Sequence, residues 1–371
     1  IISSGGAGHA LAEWIDKGRP PFDLWDVDIR RAHPFQKNRR YLKERVSETL
    51  GLLYADHFPY RQPETGRGIR RSPAHEHLKA RGAVFGETAG WERANWFADA
   101  SQPVAYSHGW KRQAWFDNVA REHAALRTSV GLYDMSSFGK IRVEGRDACR
   151  FLNHVCANQI DVAPGRIVYT QWLNMSGGIE CDLTVTRLSE TAFLLVVPAA
   201  TLQRDLDWLR RHLADDLFVV VTDVSAGEAV FCAMGPQSRA LMQSVSPNDF
   251  GNDAHPFGHA REIEIGMGVA RAHRVSFVGE LGWEIYVSSE QAAHVFETLV
   301  EAGAAHGLKL CGLHAMDSCR LEKGYRHFGH DITDEDHVLE AGLGFAVDLG
   351  KADFIGRDGV CRKQDDGLSR R

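Results

Sequence analysis

Residues 169 to 188, with the sequence YTQWLNMSGGIECDLTVTRL, constrain the fold of this chain more than any other segment. Gly177 and Gly178 permit a tight reversal that residues with larger side chains resist. The run from 183 to 186 alternates apolar and polar residues, as a half-buried strand does. The segment therefore predicts an antiparallel β-hairpin and, with it, a sheet built from hairpins.

Asp182 is the unusual residue of this hairpin because it brings a carboxylate into an apolar, β-prone run. One interpretation is that Asp182 caps the turn by bonding to nearby backbone. The other is that its carboxylate faces a cavity and takes part in chemistry there. Cys181 would point to the opposite face of the strand, which predicts a small buried residue. Local spacing leaves both interpretations of Asp182 open.

The whole chain predicts a multi-domain α+β fold of antiparallel sheets with flanking helices. Its 371 residues exceed what one core usually organises, so two or three domains are expected. Helices do not alternate regularly with strands, as they would in a parallel βαβ protein. Periodicity predicts strands within residues 22–28, 132–143 (as a pair), 167–188, 192–197, 217–223, 228–234, 262–266, 269–277 and 283–287. It predicts helices near residues 9–15, 38–50, 111–128, 147–157, 200–213, 236–243, 290–306 and 312–323.

The charge of the chain limits the partners that it can be expected to bind. A formal net charge of -6 argues against a dedicated nucleic-acid-binding protein. The basic run GRGIRR, with Arg67, Arg70 and Arg71, predicts either a solvated surface or an internal contact. No apolar run approaches the ~20 residues that cross a bilayer, so no membrane partner is predicted.

Cysteine and histidine residues offer neither a disulfide framework nor a metal site. Seven cysteines without a CxxC pair predict free thiols in a reducing compartment, which is the cytoplasm or, in a eukaryote, the mitochondrial matrix. His75 and His77 alternate, so they cannot present both imidazoles on one helical face as a zinc motif does, and the pair His327 and His330 lacks a carboxylate partner at ligand spacing. No metal ion is therefore predicted.

A set of motifs in a fixed order resembles a known family. The motifs are YDMS at 133–136, YT at 169–170 followed by GGIECDL at 177–183, GELGWEI at 279–285 and DSCRLEKG at 317–324. This set resembles the folate-binding aminomethyltransferases typified by the T-protein of the glycine cleavage system. The stretches GGIECDLTVTRL, RLEKGYRHFGHDI and ETAGWERANWF are most similar to the dimethylglycine and sarcosine dehydrogenase branch. In that branch a flavin module that oxidises amines is fused to the folate module.

The resemblance implies a division of the chain into four parts. Residues 1–17 would be a remnant of the FAD-binding domain, and residues 18–104 the central or cap region of the flavoprotein oxidoreductase. Residues 106–355 would form the T-protein-like folate-binding module. Residues 356–371 would be the truncated start of a C-terminal barrel, so that the chain is a fragment of a longer enzyme.

The resemblance also implies cofactors and a substrate class. Tetrahydrofolate would bind in the module, and the full-length enzyme would carry FAD. Ser4, Gly5 and Gly6, expected in a small-residue loop before the first helix, would belong to the FAD-binding remnant. The substrate would be a small N-methyl amine such as dimethylglycine or sarcosine, whose methyl carbon passes to folate. Alternatives are a stand-alone aminomethyltransferase, a regulatory protein or a demethylase of the same fold.

Three residues carry the functional roles that the resemblance implies. Asp182 would be the catalytic carboxylate, Tyr169 would border the pterin of folate, and Glu284 would accept hydrogen bonds from the pterin. The alternative interpretation of Glu284 is an exposed strand residue without a functional role. Met316 stands where T-proteins carry an arginine, so an anionic contact of that family has no counterpart at this position.

Overall fold

The computed structural model describes residues 3–18 and 20–368 of the chain. Its α-helices are α1 Ser4–Lys17, α2 Arg39–Leu52, α3 His75–Ala80, α4 Phe116–Thr128, α5 Ala148–Val155, α6 Leu202–His212, α7 Ser238–Val245, α8 Ala292–Gly303, α9 Leu313–Glu322 and α10 Arg357–Asp366. Its strands are β1 Ala83–Thr88, β2 Trp91–Phe97, β3 Val130–Asp134, β4 Gly139–Glu144, β5 Ile167–Leu173, β6 Ile179–Arg187, β7 Ala192–Val197, β8 Val220–Asp223, β9 Glu228–Met234, β10 Ala260–Ile265, β11 Gly268–His273, β12 Gly282–Ser288 and β13 Leu308–Leu310. No helix in the described ranges is long and apolar enough to span a bilayer.

The strands form a hairpin and two larger sheets. β1 and β2 pair with each other, the six-stranded sheet has the order β10-β11-β12-β9-β3-β13, and the five-stranded sheet has the order β5-β6-β7-β4-β8. Every pairing between these strands is antiparallel except that of β13 with β3. The prediction of an α+β fold with antiparallel sheets and flanking helices is confirmed.

Each large sheet packs helices on one face and turns its other face towards the second sheet. Helices α7 and α8 cover the six-stranded sheet, and α5 and α6 cover the five-stranded sheet. A third apolar cluster joins the two sheets, because it contains Leu194 and Val196 of β7 together with Val230 and Cys232 of β9. Polar residues on these inner faces therefore meet in the interior of the molecule.

Most of the predicted elements are present. The hairpin within residues 167–188 is β5 and β6, and the strand at 192–197 coincides with β7. Cys181 is fully buried in the core beneath the five-stranded sheet, as expected. The short strand β13 was not predicted, because three residues are too few to show a period.

The prediction that residues 132–143 form a strand pair was wrong. Two strands are present, but β3 lies in the six-stranded sheet and β4 in the five-stranded sheet. Between them Asp134 accepts hydrogen bonds from the Ser136 amide (2.8 Å) and from the Ser72 hydroxyl. These bonds turn the chain away from hairpin pairing and lead it from one sheet to the other.

The predicted strand at residues 22–28 was also wrong, because this segment forms short 3₁₀ turns. Asp23 accepts a hydrogen bond from the Trp25 amide, and Asp28 accepts one from the Arg30 amide, each over 2.8 Å. An aspartate that bonds to the backbone two residues later favours a turn over a strand. The alternation of apolar residues did not reveal that these aspartate side chains compete with a neighbouring strand for the backbone amides.

Ser4, Gly5 and Gly6 lie in the first turn of α1, so the loop predicted for them was wrong. The Ala7 amide donates to the Ser3 carbonyl over 2.9 Å and starts the helix there. Once the favourable run Ala10 to Trp14 forms a helix, extension backwards through small residues costs only about 1 kcal/mol for each glycine. A contact of these residues with FAD stays a prediction.

The basic run is an internal contact in part, which was one of its two interpretations. Arg67 donates to Glu92 over 2.8 Å, and Glu92 is buried. Arg71 pairs with Glu76 over 3.1 Å in an exposed position. The run therefore anchors the segment before α3 to the β1–β2 hairpin.

The turn between β1 and β2 holds an alanine in a left-handed backbone conformation, and a substitution there can test how much this conformation costs in stability. Ala89 and Gly90 both have positive φ values, 51° and 80°, as the two central residues of a type I′ turn do. Asparagine tolerates this conformation better than alanine, so Ala89→Asn is expected to raise the free energy of unfolding by about 0.5–1 kcal/mol. Urea unfolding measures the change. The exposed Ala105 is the control, and a gain of equal size from Ala105→Asn would contradict the conformational explanation.

Candidate functional site

Asp182 shares one face of the five-stranded sheet with Tyr169 and Gln171. Gln171 pairs directly with Asp182 across β5 and β6, and Tyr169 pairs with Thr184. Thr184 in turn pairs with Val196, whose side chain belongs to the cluster between the sheets. Because residues two apart on a strand share a face, all of these side chains point towards the six-stranded sheet.

The Asp182 carboxylate is held by side chains and not by the turn. Gln171 Nε2 donates to Asp182 Oδ1 over 2.9 Å. Burial raises the pKa of Asp182 to about 6, while hydrogen bonds from Gln171 and Tyr169 hold the pKa below what burial alone would give. The turn is closed instead by Asn174, whose Oδ1 accepts from the Gly178 amide over 2.9 Å. The turn-cap interpretation of Asp182 is therefore wrong.

Tyr169 lies beside Asp182 and beneath an exposed aromatic ring. Its ring stacks with that of Phe345 at a centroid separation of 6.0 Å and an angle of 28°. Burial and the nearby Asp182 carboxylate raise the pKa of Tyr169, so the phenol keeps its proton. The hydroxyl can therefore donate a hydrogen bond to the carboxylate or to a bound molecule.

Glu284 occupies the opposing wall, in the central strand β12 of the six-stranded sheet. It is 8% exposed, so the interpretation as an exposed strand residue is wrong. Tyr286 donates its hydroxyl proton to Glu284 Oε2 over 2.8 Å, and among the described residues this is the one hydrogen bond that the carboxylate accepts. Burial raises the pKa of Glu284 to about 7, and the bond from Tyr286 limits that rise. A carboxylate so poorly compensated is typical of a binding or catalytic site.

Several buried polar atoms on the two walls lack a hydrogen-bond partner among the described residues. They are Tyr133 Oη on the Glu284 side, and Gln171 Oε1 and Thr186 Oγ1 on the Asp182 side. Tyr133 pairs with Cys232, which pairs with Glu284 across β9 and β12. Buried polar atoms are rarely left without partners, so the walls fit a ligand that supplies both donors and acceptors.

The segment after α9 reaches the Asp182 side of the site. His327 acts electrostatically on Asp182, and its Nδ1 lies 3.7 Å from Asp317 Oδ1. Arg320 donates to Asp317 over 2.7 Å through Nε and to Asp331 through a terminal nitrogen, so its guanidinium bridges two carboxylates of the protein. These contacts tie the segment to α9 and place His327 close to the candidate catalytic carboxylate.

Gln171, Tyr286, His327 and Phe345 were not recognised from the sequence. Gln171 and Tyr286 stand two positions after Tyr169 and Glu284, so strand alternation could have found both. His327 lies in the irregular part of the connection after α9, and Phe345 lies in a short 3₁₀ helix of that connection, Gly344–Ala346. No periodic signal places either residue near Asp182. Among residues 3–18 and 20–368, no group of three or more His, Cys, Asp or Glu side chains could hold a metal ion.

Comparison with known families assigns most of this chain to one family. The family model described as the GCVT N-terminal domain matches residues 74–351. The chain belongs to the GCVT family. A second model, described as the FAD dependent oxidoreductase central domain, matches residues 17–72. The GCVT match contains Asp182, Tyr169 and Glu284, whereas the second match precedes all three.

Individual relatives of this GCVT family member agree with the resemblance seen in the motifs. 4-Methylaminobutanoate oxidase (formaldehyde-forming) of Paenarthrobacter nicotinovorans is 45% identical over 98% of the chain and 44% of its own length. Mitochondrial sarcosine dehydrogenase of Homo sapiens is 34% identical over the whole chain and 45% of its own length. The chain thus spans less than half the length of these relatives. The predicted kinship with sarcosine dehydrogenase is confirmed.

A solved structure supports the fold of the GCVT part. Glycine cleavage system aminomethyltransferase T from Bartonella henselae superposes with a TM-score of 0.68 at 28% identity. The superposition covers 81% of this chain and 76% of the other. The predicted T-protein-like architecture is therefore confirmed.

Proposed function

We propose that this chain contains the folate-dependent one-carbon acceptor module of a flavoprotein enzyme that oxidises an N-methyl amino acid. The observation that carries the proposal is the pair of poorly compensated carboxylates, Asp182 and Glu284, on the facing inner sides of the two sheets. Buried polar atoms on the same sides have no hydrogen-bond partner in the described part of the chain. Kinship with an oxidase and a dehydrogenase of N-methyl amino acids supports the substrate class.

Tetrahydrofolate fits these walls by its hydrogen-bonding groups. The Glu284 carboxylate has acceptor capacity beyond its bond to Tyr286, and it suits the amino and ring N–H groups of a pterin. Tyr133 Oη and Gln171 Oε1 can satisfy further polar atoms of such a ring. When bound, tetrahydrofolate supplies a nucleophilic ring nitrogen that takes up the one-carbon unit.

The residues of the Asp182 wall provide proton handling and exclude water. Oxidation of an N-methyl amine yields a cationic iminium, which an ionised Asp182 would stabilise. Asp182 would also accept the proton that the attacking folate nitrogen loses as its bond to the methylene carbon forms, and return that proton to the amine nitrogen as the amine leaves. Gln171 orients the carboxylate by its bond to Oδ1. The stacked rings of Tyr169 and Phe345 cover one side of the carboxylate and limit hydrolysis to formaldehyde.

The flavin-related parts of the proposal rest on the match of residues 17–72 and on the relatives. Gly5 and Gly6 face open space, because an added Cβ would meet no atom within 4 Å at either position. We assign FAD to the full-length enzyme, with Ser4, Gly5 and Gly6 near it. The cytoplasm, or the mitochondrial matrix of a eukaryote, is the proposed compartment, in keeping with free thiols on all seven cysteines.

Folate binding by the chain is a direct test of the proposed function. Calorimetric titration with tetrahydrofolate is expected to show binding by the wild type and about tenfold weaker binding by Tyr169→Leu, because a stacked aromatic contact is lost. Tyr54 is 95% exposed, so Tyr54→Leu is the control and should bind as the wild type does. Absence of binding by the wild type, or equal affinity in all three proteins, would refute the proposed site.

A further inference from the structure

Glu284 belongs to a row of polar side chains on the inner face of the six-stranded sheet. Its strand neighbours are His273 on β11 and Cys232 on β9, and Cys232 lies in the apolar cluster between the two sheets. Tyr286 stands two residues after Glu284 and pairs with Arg271. Since directly paired residues, and residues two apart on a strand, share a face, this row points towards the five-stranded sheet.

Arg271 reaches across the sheet within this row. Its Nη2 donates to both carboxylate oxygens of Glu228, over 3.2 Å each. Glu228 lies on β9, and β12 separates β9 from β11, so the arginine side chain crosses β12 to make this contact. The guanidinium carbon of Arg271 lies 5.5 Å from the centre of the Tyr286 ring on β12. The ion pair therefore lies over Tyr286.

His273 contacts the same tyrosine ring. Arg271 Nε donates to His273 Nε2 over 3.0 Å, and the centres of the His273 and Tyr286 rings are 4.1 Å apart. Burial lowers the pKa of His273 well below its ordinary value, so the imidazole is neutral and Nε2 can accept this bond. The bond from Arg271 fixes the plane of the imidazole that packs against Tyr286.

Tyr286 transmits this order to Glu284. Its hydroxyl donates to Glu284 Oε2 over 2.8 Å. Burial and the Glu284 carboxylate raise the pKa of Tyr286, so the phenol keeps its proton and remains a donor. Close packing of the ring against an imidazole and a guanidinium restricts its movement, so the hydroxyl donates from a fixed position. The bond orients the carboxylate, and Oε1 accepts no hydrogen bond from the described residues.

The groups on the other side of Glu284 do not replace this arrangement. Cys232 and Tyr133 interact electrostatically with the carboxylate, and burial raises the pKa of both well above the ordinary value. Both groups are therefore neutral, and a neutral thiol is only a weak donor. The orientation of Glu284 thus depends on Tyr286 and on the residues that hold Tyr286.

We propose that Arg271 is a positioning residue for pterin binding: anchored by Glu228, it holds His273 and Tyr286 so that Tyr286 fixes the Glu284 carboxylate in the orientation that receives the ligand. A guanidinium fork bonds a carboxylate and an imidazole in one fixed geometry, which lysine does not reproduce. An acceptor that is already oriented loses less conformational freedom when the ligand binds. The part in pterin binding rests on the proposed function, whereas the control of Glu284 does not.

Titration of Glu284 in the ligand-free chain tests the positioning role. The infrared carbonyl band of its protonated carboxyl group is identified as the band that Glu284→Gln removes. The midpoint of this band is expected near pH 7 in the wild type. In Arg271→Gln it should lie about one pH unit higher, because Tyr286 then bonds less well to the ionised carboxylate. An unchanged midpoint would overturn the proposal.

Tetrahydrofolate affinity at pH 8 tests the consequence for binding. Arg271→Gln is expected to weaken binding about tenfold when Glu284 is present, but less than about twofold in a Glu284→Ala background, because the effect passes through that carboxylate. An arginine that only stabilises the sheet would cause the same loss in both backgrounds. That result would also overturn the proposal.

Arg261→Gln is the matched control on the same sheet. Arg261 donates to the backbone carbonyls of Asp249 and Ala254 over 3.1 Å and 2.8 Å. It pairs with Ala272, which packs in the apolar cluster beneath α7 and α8 and so lies on the opposite face. Its loss should leave the Glu284 midpoint unchanged and the folate affinity within about twofold of the wild type. A shift equal to that of Arg271→Gln would contradict a specific role for Arg271.

If Arg271→Gln does not fold, Glu228→Gln takes its place, because it releases the anchor of Arg271 at a partly exposed position. The same shift of the Glu284 midpoint is expected, and its absence would count against the proposal. The two readouts separate this proposal from the proposed function. Absence of tetrahydrofolate binding by the wild type refutes the folate cavity, while the infrared titration still decides the role of Arg271. Normal binding with an unchanged midpoint in Arg271→Gln refutes the positioning role alone.

Discussion

Asp182→Asn is expected to lower the rate of one-carbon transfer to tetrahydrofolate by about 10²–10³-fold in the full-length gene product, because a positioned proton acceptor contributes that much. Asparagine keeps the shape and can still bond to Gln171, so the loss isolates the charge and basicity of the carboxylate. Amine oxidation should continue, because Asp182 lies in the GCVT part of the chain. The oxidised carbon should then appear as free formaldehyde.

The pH dependence of transfer gives a second readout of the same residue. Burial raises the pKa of Asp182 to about 6, and the proton acceptor must be ionised. Transfer by the wild type is therefore expected to decline about tenfold for each pH unit below 6. The residual transfer of Asp182→Asn should not show this decline.

Measurement of 5,10-methylenetetrahydrofolate against free formaldehyde, over pH 5 to 8, checks both expectations. Asp117→Asn is the matched control because this aspartate side chain is 71% exposed and lies on α4, outside both large sheets. An unchanged partition of carbon between folate and formaldehyde in Asp182→Asn would exclude a catalytic role for Asp182.

Glu284→Gln is expected to stabilise the fold at alkaline pH while it weakens folate binding. Burial raises the pKa of Glu284 from 4.5 to about 7, so the folded state binds this proton more tightly than the unfolded state does. The stabilising contribution of the protonated group is complete below pH 4.5 and is lost as the pH rises through 7. Above pH 7 the ionised carboxylate costs on the order of 3 kcal/mol, which glutamine avoids.

Urea unfolding at two pH values measures this effect. The gain in the free energy of unfolding should be on the order of 3 kcal/mol at pH 8.5 and about 1 kcal/mol at pH 5.5. Glu262 is exposed on β10, so Glu262→Gln should change stability by less than about 0.5 kcal/mol at either pH. A gain that does not depend on pH would show that Glu284 does not titrate as its burial requires.

Affinity for tetrahydrofolate should change in the opposite direction to stability. Loss of a charged acceptor that faces pterin N–H groups is expected to weaken binding about 10–100-fold in Glu284→Gln. Calorimetry at pH 8, where the wild-type carboxylate is ionised, measures the difference. Retention of full affinity would place the pterin elsewhere. Opposed changes in stability and affinity are typical of residues kept for function.

Local patterns were sufficient for the elements in which a single periodicity dominates. The hairpin β5–β6 and the strand β7 followed from apolar alternation and from Gly177, whose φ of 87° the turn requires. Sequence periodicity gave the wrong prediction where a side chain takes a backbone amide hydrogen bond that a strand partner would otherwise accept. Asp23 and Asp28 convert an alternating segment into 3₁₀ turns, and Asp134 sends two neighbouring strands into different sheets. These hydrogen bonds depend on three-dimensional geometry, which the spacing of apolar residues along the sequence does not encode.

The sequence by itself determined the α+β class, the hairpin that carries Asp182, and, through an ordered set of motifs, the kinship with the T-protein and sarcosine dehydrogenase. Only the tertiary structure decided that Asp182 and Glu284 line inner faces of two sheets, held by Gln171 and Tyr286. Burial and electrostatic coupling depend on contacts between distant segments, and no local periodicity encodes them.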